Sequence, residues 1–177
     1  SHGIGFAVPS AMVRAVLASA KAGLSHVKRP WLGASTQAVT ADIAASIGMK
    51  RPRGVMVRSV FPDGPADRAG VMVGDVVLAV DGHDISSPTA LNFRLGTRMI
   101  GEKAPFSILR NGSLRKFTLK LVAAPERPAR NLTKLTGRQP LANVTVANLS
   151  PALAEELGQD TLDRGVIVMQ VDRQTPA

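Results

Sequence analysis

At 177 residues the chain is long enough for one ordinary domain and a substantial extra piece, and its 45% hydrophobic content with 20% charged residues excludes wholesale disorder. Aromatics make up only 3%, with no Tyr and one Trp, so the core must be built from Val, Leu, Ile, Ala and Met; with no cysteine, a disulfide framework, a Cys-ligated zinc site and a thiol nucleophile are excluded. The net charge of +9 would suit nucleic acid, but the basic residues lack the aromatic neighbours that base stacking requires, so no nucleic-acid partner is expected.

No apolar run approaches the ~20 residues needed to cross a bilayer, so stable membrane insertion is not expected. The opening residues 1–10 lack the charged start and apolar stretch of a signal peptide, and the chain is expected to begin inside something larger or after processing. Residues 3–8 form a short apolar run stopped by Pro9. Ser10 is placed to cap a helix with Val13, Val16, Leu17 and Ala20 on one stripe, and Gly23 to end it. Such a stripe calls for a partner surface, which is expected outside this chain.

From 29 to 122 the pattern is mixed, with strands dominant. Residues 54–60 read as a strand ended by Pro62-Asp63-Gly64, and residues 65–70 as a short helix with Pro at its start and Gly after it. Residues 75–80 read as a buried strand followed by the tight turn Asp81-Gly82. A second helix is expected over 87–96, with Leu91 and Leu95 on one face. A hairpin of 105–110 and 114–121 then turns at Asn111-Gly112. The Pro-rich stretch 123–130 reads as the start of a linker running to 137.

An internal repeat follows. Gly54-Val-Met-Val returns at Gly165-Val-Ile-Val, Pro65-Ala66 returns at Pro176-Ala177, and Ala45-Ser-Ile-Gly48 is echoed by Glu156-Leu-Gly158. More weakly, Pro30-Trp-Leu-Gly33 is echoed by residues 138–142, with Ala142 where Gly is expected. The second copy, 138–177, has no counterpart of 67–122. As half a domain with unpaired strand edges and no covering helix, it is expected to be mobile or to borrow strands, and no peptide binding is assigned to it.

Trp31-Leu32-Gly33-Ala34, Gly64-Pro65-Ala66, Ala69-Gly70-Val71 and above all Gly74-Asp75-Val76-Val77-Leu78-Ala79-Val80-Asp81-Gly82 resemble, in order and spacing, the PDZ domains of the HtrA/DegP family of periplasmic serine proteases. Residues 3–10 look like that family's last protease strand and the start of its connecting helix. The resemblance implies a strand-rich α+β fold: a partly open PDZ-like barrel or sandwich capped by two helices, preceded by an N-terminal helix and followed by a truncated second PDZ. The implied divisions are 1–28, 29–122, a linker at 123–137, and 138–177. It further implies periplasmic location, assembly as trimers or larger homo-oligomers in the full protein, C-terminal peptides of unfolded proteins as partners, and no cofactor.

The family's Gly-Asn-Ser-Gly-Gly nucleophile segment is not found here, so the nucleophile is expected upstream of residue 1 and no casein hydrolysis is expected from this chain alone. His2, His26 and His83 sit in linker or turn contexts, and no two share a metal-ligand spacing, so neither a catalytic residue nor a metal ligand is expected.

The resemblance places the site on the loop and strand that begin at Leu32. An extended peptide would add to the strand from Ala34, with Ser35 and Thr36 along it, and its terminal carboxylate would meet backbone N–H groups of Leu32, Gly33 and Ala34. Arg29 is either a further positive charge for that carboxylate or a solvated linker residue. Leu32 and Ala34 form one wall of an apolar slot, and Leu91 and Leu95 the other; the small Ala34 implies room for a bulky terminal side chain. Trp31 replaces the Tyr or acidic residue more common there, and either anchors the loop or touches peptide. A different class of function stays open beside recognition: an inter-subunit scaffold that controls access to a protease chamber without binding peptide itself.

Overall fold

A computed structural model describes residues 10–21 and 28–172, which divide into two compact units, 1–123 and 124–177. The apolar run at 3–8, the stop at Gly23, and the repeated Pro176-Ala177 lie outside the described residues. Helix α1 spans Ser10–Lys21, with Ser10 its first helical residue, and Val13, Val16 and Leu17 are exposed on it.

In the first unit the chain runs through β1 (Pro30–Trp31), β2 (Ala34–Ala38), α2 (Ala41–Ser46), β3 (Val55–Val60), α3 (Pro65–Arg68), β4 (Val76–Val80), β5 (His83–Asp84), α4 (Pro88–Gly96), β6 (Lys103–Arg110), β7 (Ser113–Lys120) and β8 (Val122–Ala123). The main sheet has the order β2-β3-β4-β6-β7, with β5 on β4, and a small second sheet joins β1 to β8. This is the strand-rich, open-sheet architecture expected, with a further helix, α2, that the landmarks did not reveal. Its two tight turns follow from local chemistry: Asp81-Gly82 and Asn111-Gly112 all take positive φ, the conformation whose twist matches the strands it joins.

The core is aliphatic, as composition requires. Val55, Val57, Val77 and Val80 pack with Leu91, Leu95, Phe106, Ile108, Leu119 and Leu121. One charged pair breaks this pattern. Asp75, only 1% exposed, accepts a two-pronged contact from Arg110, Nε to Oδ1 at 2.6 Å and one terminal nitrogen to Oδ2 at 2.7 Å. The same nitrogen donates to the Gly70 carbonyl at 2.7 Å, the Met72 N–H donates to Asp75 Oδ2, and the guanidinium lies over the Phe117 ring. The hydrogen bonds to Asp75 raise the Arg110 pKa above its already high ordinary value, against the desolvation of the site.

The second unit consists of β9 (Thr133–Lys134), β10 (Val144–Leu149), α5 (Pro151–Glu156) and β11 (Gly165–Val171), with sheet order β11-β10-β9. It repeats β2-α2-β3 in detail. Thr40 caps α2 by accepting from the Ile43 N–H, and Ser150 caps α5 by accepting from the Leu153 N–H. In the first hairpin the register skips Arg58 between Ser35↔Ser59 and Thr36↔Val57; in the second it skips Met169 between Thr145↔Gln170 and Val146↔Val168. The β-bulge is thus repeated at the same place. The one-residue change in spacing between the copies falls in the turn after Gly158, which corresponds to Gly48, and so leaves both registers intact.

Two expectations are corrected. The stretch 123–137 is not simply a linker, because it contains the last residue of β8 and all of β9. Nor do the second copy's unpaired strand edges include β10, which is bonded on both sides, although β11 remains an edge among the described residues. Its apolar residues nevertheless differ in burial from the first copy's. Val55 and Val57 are 0% and 1% exposed under the rest of their sheet and α4, whereas their counterparts Val166 and Val168 are 66% and 53% exposed. The strands that bury the first pair have no counterpart among the described residues.

The caps give a separable test. Thr40→Ala should cost the first unit about 1 kcal/mol, read as a lower urea midpoint of Trp31 fluorescence. Ser150→Ala, whose hydroxyl is fully buried, should leave that midpoint unchanged and accelerate amide exchange in β10 and β11.

Candidate functional site: the edge of β2 and its loop

β2 is the edge strand of the main sheet, and among the described residues no strand pairs with its outer side. The chain enters β2 through Leu32 and Gly33. Gly33 has φ +70°, and a Cβ there would lie 2.9 Å from Pro65 Cδ and 3.3 Å from Gly64 Cα. Glycine is therefore required twice, by backbone conformation and by the close approach of another segment. That segment braces the loop from behind: the Phe61 N–H donates to the Gly33 carbonyl at 2.8 Å and the Ala66 N–H to the Leu32 carbonyl at 3.1 Å. Both carbonyls are thereby turned inward, and among the described residues no acceptor engages the Gly33 amide. A loop whose carbonyls are engaged by a brace while an amide keeps no acceptor suits an anion.

The predicted residues fall into three groups. Leu32, Gly33, Ala34, Ser35 and Thr36 come together on the loop and the edge strand, with Ser35 Oγ and Ser59 Oγ 2.7 Å apart across β2 and β3. Leu91 and Leu95 lie on the face of α4 turned to the core, 0% and 2% exposed in one cluster with Leu32, and Ala34 packs against that cluster. Their burial follows from the same helix face having to close the hydrophobic core. Arg29 is exposed, just before β1. Trp31 is buried, at 7% exposure, with its ring edge-on to Phe61 at 5.1 Å.

Sequence reasoning treated Gly64-Pro65-Ala66 as a landmark and missed its work as the brace behind Gly33. The Gly-Pro pair was the available signal: Pro65 starts α3 without needing a hydrogen bond for its missing N–H, and a glycine beside it permits close backbone approach. Among the described residues no three His, Asp or Glu side chains gather into a metal-binding group, and no helix is long and apolar enough to cross a membrane.

A family model described as PDZ domain matches residues 30–121, which covers β1 through β7 and the whole edge-and-loop site. The chain belongs to the PDZ-domain family. Over nearly its full length it also matches proteins named probable periplasmic serine endoprotease DegP-like. It is 36% identical over 176 residues to that of Ectopseudomonas mendocina, covering 96% of this chain and 36% of that protein. It is likewise 36% identical over 179 residues to that of Pseudomonas fulva, covering 99% of this chain and 36% of that protein. The chain thus spans about a third of the length of these relatives. Among solved structures, the HtrA-type protease AlgW with decapeptide aligns at a TM-score of 0.55 with 34% identity, over 71% of this chain and 38% of that one. A serine endoprotease from Yersinia pestis aligns at 0.50 with 26% identity, over 71% and 40% respectively. The resemblance read from the Gly74–Gly82 segment extends to these relatives: the chain is similar to the PDZ-bearing part of HtrA/DegP-type proteases.

Proposed function

We propose that the PDZ unit captures the C-terminal ends of extended, unfolded or misfolded polypeptides for a DegP-like serine endoprotease, and that periplasmic quality control is its setting. The observation that carries this reading is the unpaired outer edge of β2 leading out of a loop whose Gly33 amide has no acceptor among the described residues. A peptide strand adds to β2 opposite Ala34, Ser35 and Thr36, its carboxylate takes the amides of Leu32, Gly33 and Ala34, and its terminal side chain rests on the floor of Leu32, Ala34, Leu91 and Leu95. Arg29 adds a positive charge from the approach side. The HtrA-type protease AlgW, solved with a decapeptide, supports a peptide partner, since 71% of this chain aligns with 38% of that one at 34% identity.

In this reading hydrolysis belongs to the protease domain of an oligomeric parent, the 177 residues contribute recognition, and 138–177 is the start of a second PDZ copy. A scaffold role is the second reading, favoured by the exposed Val13, Val16 and Leu17 on α1, which suit contact with a protease domain or a neighbouring subunit. One titration separates the two. A peptide with a free C-terminal carboxylate should bind about tenfold to a hundredfold more tightly than its amidated twin, because charge-assisted hydrogen bonds of about 1.5–3 kcal/mol are lost on amidation. Equal binding of both sinks the carboxylate loop, and binding of neither leaves the scaffold.

A further inference from the structure

The two copies of the strand–helix–strand hairpin differ at their outer edge. Where β2 has no described partner, β10 is paired antiparallel by β9, with Thr133 opposite Val146 and Lys134 opposite Thr145. The pairing runs past β9 at both ends. The Leu135 N–H donates to the Val144 carbonyl and the Asn143 N–H to the Leu135 carbonyl, each at 2.8 Å. At the far end the Asn148 N–H donates to the Arg130 carbonyl at 2.7 Å, and Asn148 Nδ2 to the Ala129 carbonyl at 3.0 Å.

Asn143 is the counterpart of Gly33. Its φ is +67° against +70°, and its carbonyl accepts from the Asp172 N–H as the Gly33 carbonyl accepts from Phe61. The sequence placed Ala142 at this position; the structure moves it one residue on, to an asparagine, the side chain that best tolerates the left-handed region after glycine. The second copy therefore keeps the loop. Residues 129–135 run along β10 toward that loop and deliver the Leu135 carbonyl to its amide, the direction and end point of a peptide captured by strand addition.

We propose that β10 and the Leu141–Val144 loop form a second peptide-accepting edge, with residues 129–135 as its resident internal ligand. The inference takes its binding mode from the reading of β2 above. The ligand class is an extended segment ending in an aliphatic residue, as this one ends at Leu135. Three surface ion pairs hold the segment: the Arg130 guanidinium reaches Glu126 and Glu156 of α5, and Lys134 Nζ meets Asp172 Oδ2 at 2.6 Å. Such contacts are individually weak. What keeps free peptide out is the tether, which supplies the internal ligand at an effective concentration of about millimolar.

The test titrates the whole isotope-labelled chain with a free heptapeptide of sequence Ala-Arg-Asn-Leu-Thr-Lys-Leu ending in a carboxylate, reading amide shifts. In the native chain the amides of 142–148 should not respond. In the double variant Arg130→Ala, Leu135→Pro, which removes one clamp and the N–H that bonds Val144, they should shift with an apparent affinity at least tenfold tighter. A folded variant without that response overturns the proposal, as does an equal response in the native chain. So does collapse of the β10–β11 amide signals in the variant, which would make 129–135 an integral strand. Hydrogen exchange of the native chain is a second measurement: the Leu135, Asn143 and Asn148 amides should exchange at least tenfold faster than those bonding β10 to β11, and equal rates overturn it. Failure of the first site is read separately, as missing shifts at 32–38.

Discussion

Replacing Arg110 with methionine should lower the stability of the PDZ unit by about 3–5 kcal/mol, which for an m-value near 1.5 kcal/mol/M is about 2–3 M in the urea midpoint. The size follows from what is left behind. Asp75 is 1% exposed, and its carboxylate loses both prongs of the guanidinium, keeping only the Met72 N–H. The Gly70 carbonyl, which ends the α3 turn, loses its donor at the same stroke. Lysine should rescue little, because a single ammonium does not serve Asp75 and Gly70 in a fork. The double variant Asp75→Leu, Arg110→Met should recover most of the loss, since a matched apolar pair removes the stranded charge. Trp31, the one tryptophan, lies in this unit and reports its unfolding. A single-variant cost below about 1 kcal/mol would show that water reaches Asp75 and that the pair is not what closes the space between α3 and the β6–β7 hairpin.

The second large effect is on binding. Gly33→Ala should weaken capture of a carboxylate-ended peptide by at least tenfold while costing stability of about 1–2 kcal/mol, the strain of a side chain in the left-handed region. The added Cβ meets Pro65 Cδ at 2.9 Å and Gly64 Cα at 3.3 Å, neither of which is the free end of a flexible side chain, so the loop itself must move. Movement there would re-aim the amides proposed to receive the carboxylate. Gly74→Ala is the control: Gly74 has φ +90° but nothing within 4 Å of the added carbon. It should lose comparable stability and keep its affinity. If Gly33→Ala binds as the native chain does, the loop amides are not the carboxylate site.

Most of the strands were legible because β-branched runs between Gly, Pro and Asn-Gly punctuation allow few other folds. Residues 54–60, 75–80 and the 105–121 hairpin lie within a residue or two of where the structure places them. Helix α2 was missed for want of a stripe: six residues, Ala41–Ser46, with only Ala44 buried, rest on the Thr40 cap rather than on periodicity. The Asp75–Arg110 pair was invisible because nothing local links residues 35 apart; only the β4–β6 pairing brings them together. Similarly, the brace on Gly33 comes from a segment some thirty residues away, and its carbonyl contacts leave no mark on side-chain pattern. The misplacement of Asn143 has a simpler cause. Matching by residue type looks for another glycine, whereas the fold selects a backbone conformation that two residue types share.

The bulge at Arg58 bears on how a ligand is read. Side chains alternate along a strand, so a slip of one residue between β2 and β3 would turn every residue of β2 to the opposite face. The bulge forbids that slip by fixing where the odd residue sits, and a peptide laid on β2 as proposed would inherit the phase so imposed. It would set, in effect, the reading frame of such a sequence: which ligand positions face α4 and which face solvent. Adding or deleting one residue between Gly33 and Ala38 would act as a frameshift on specificity, exchanging the positions that are read for those that are ignored, with little change in the number of backbone hydrogen bonds made.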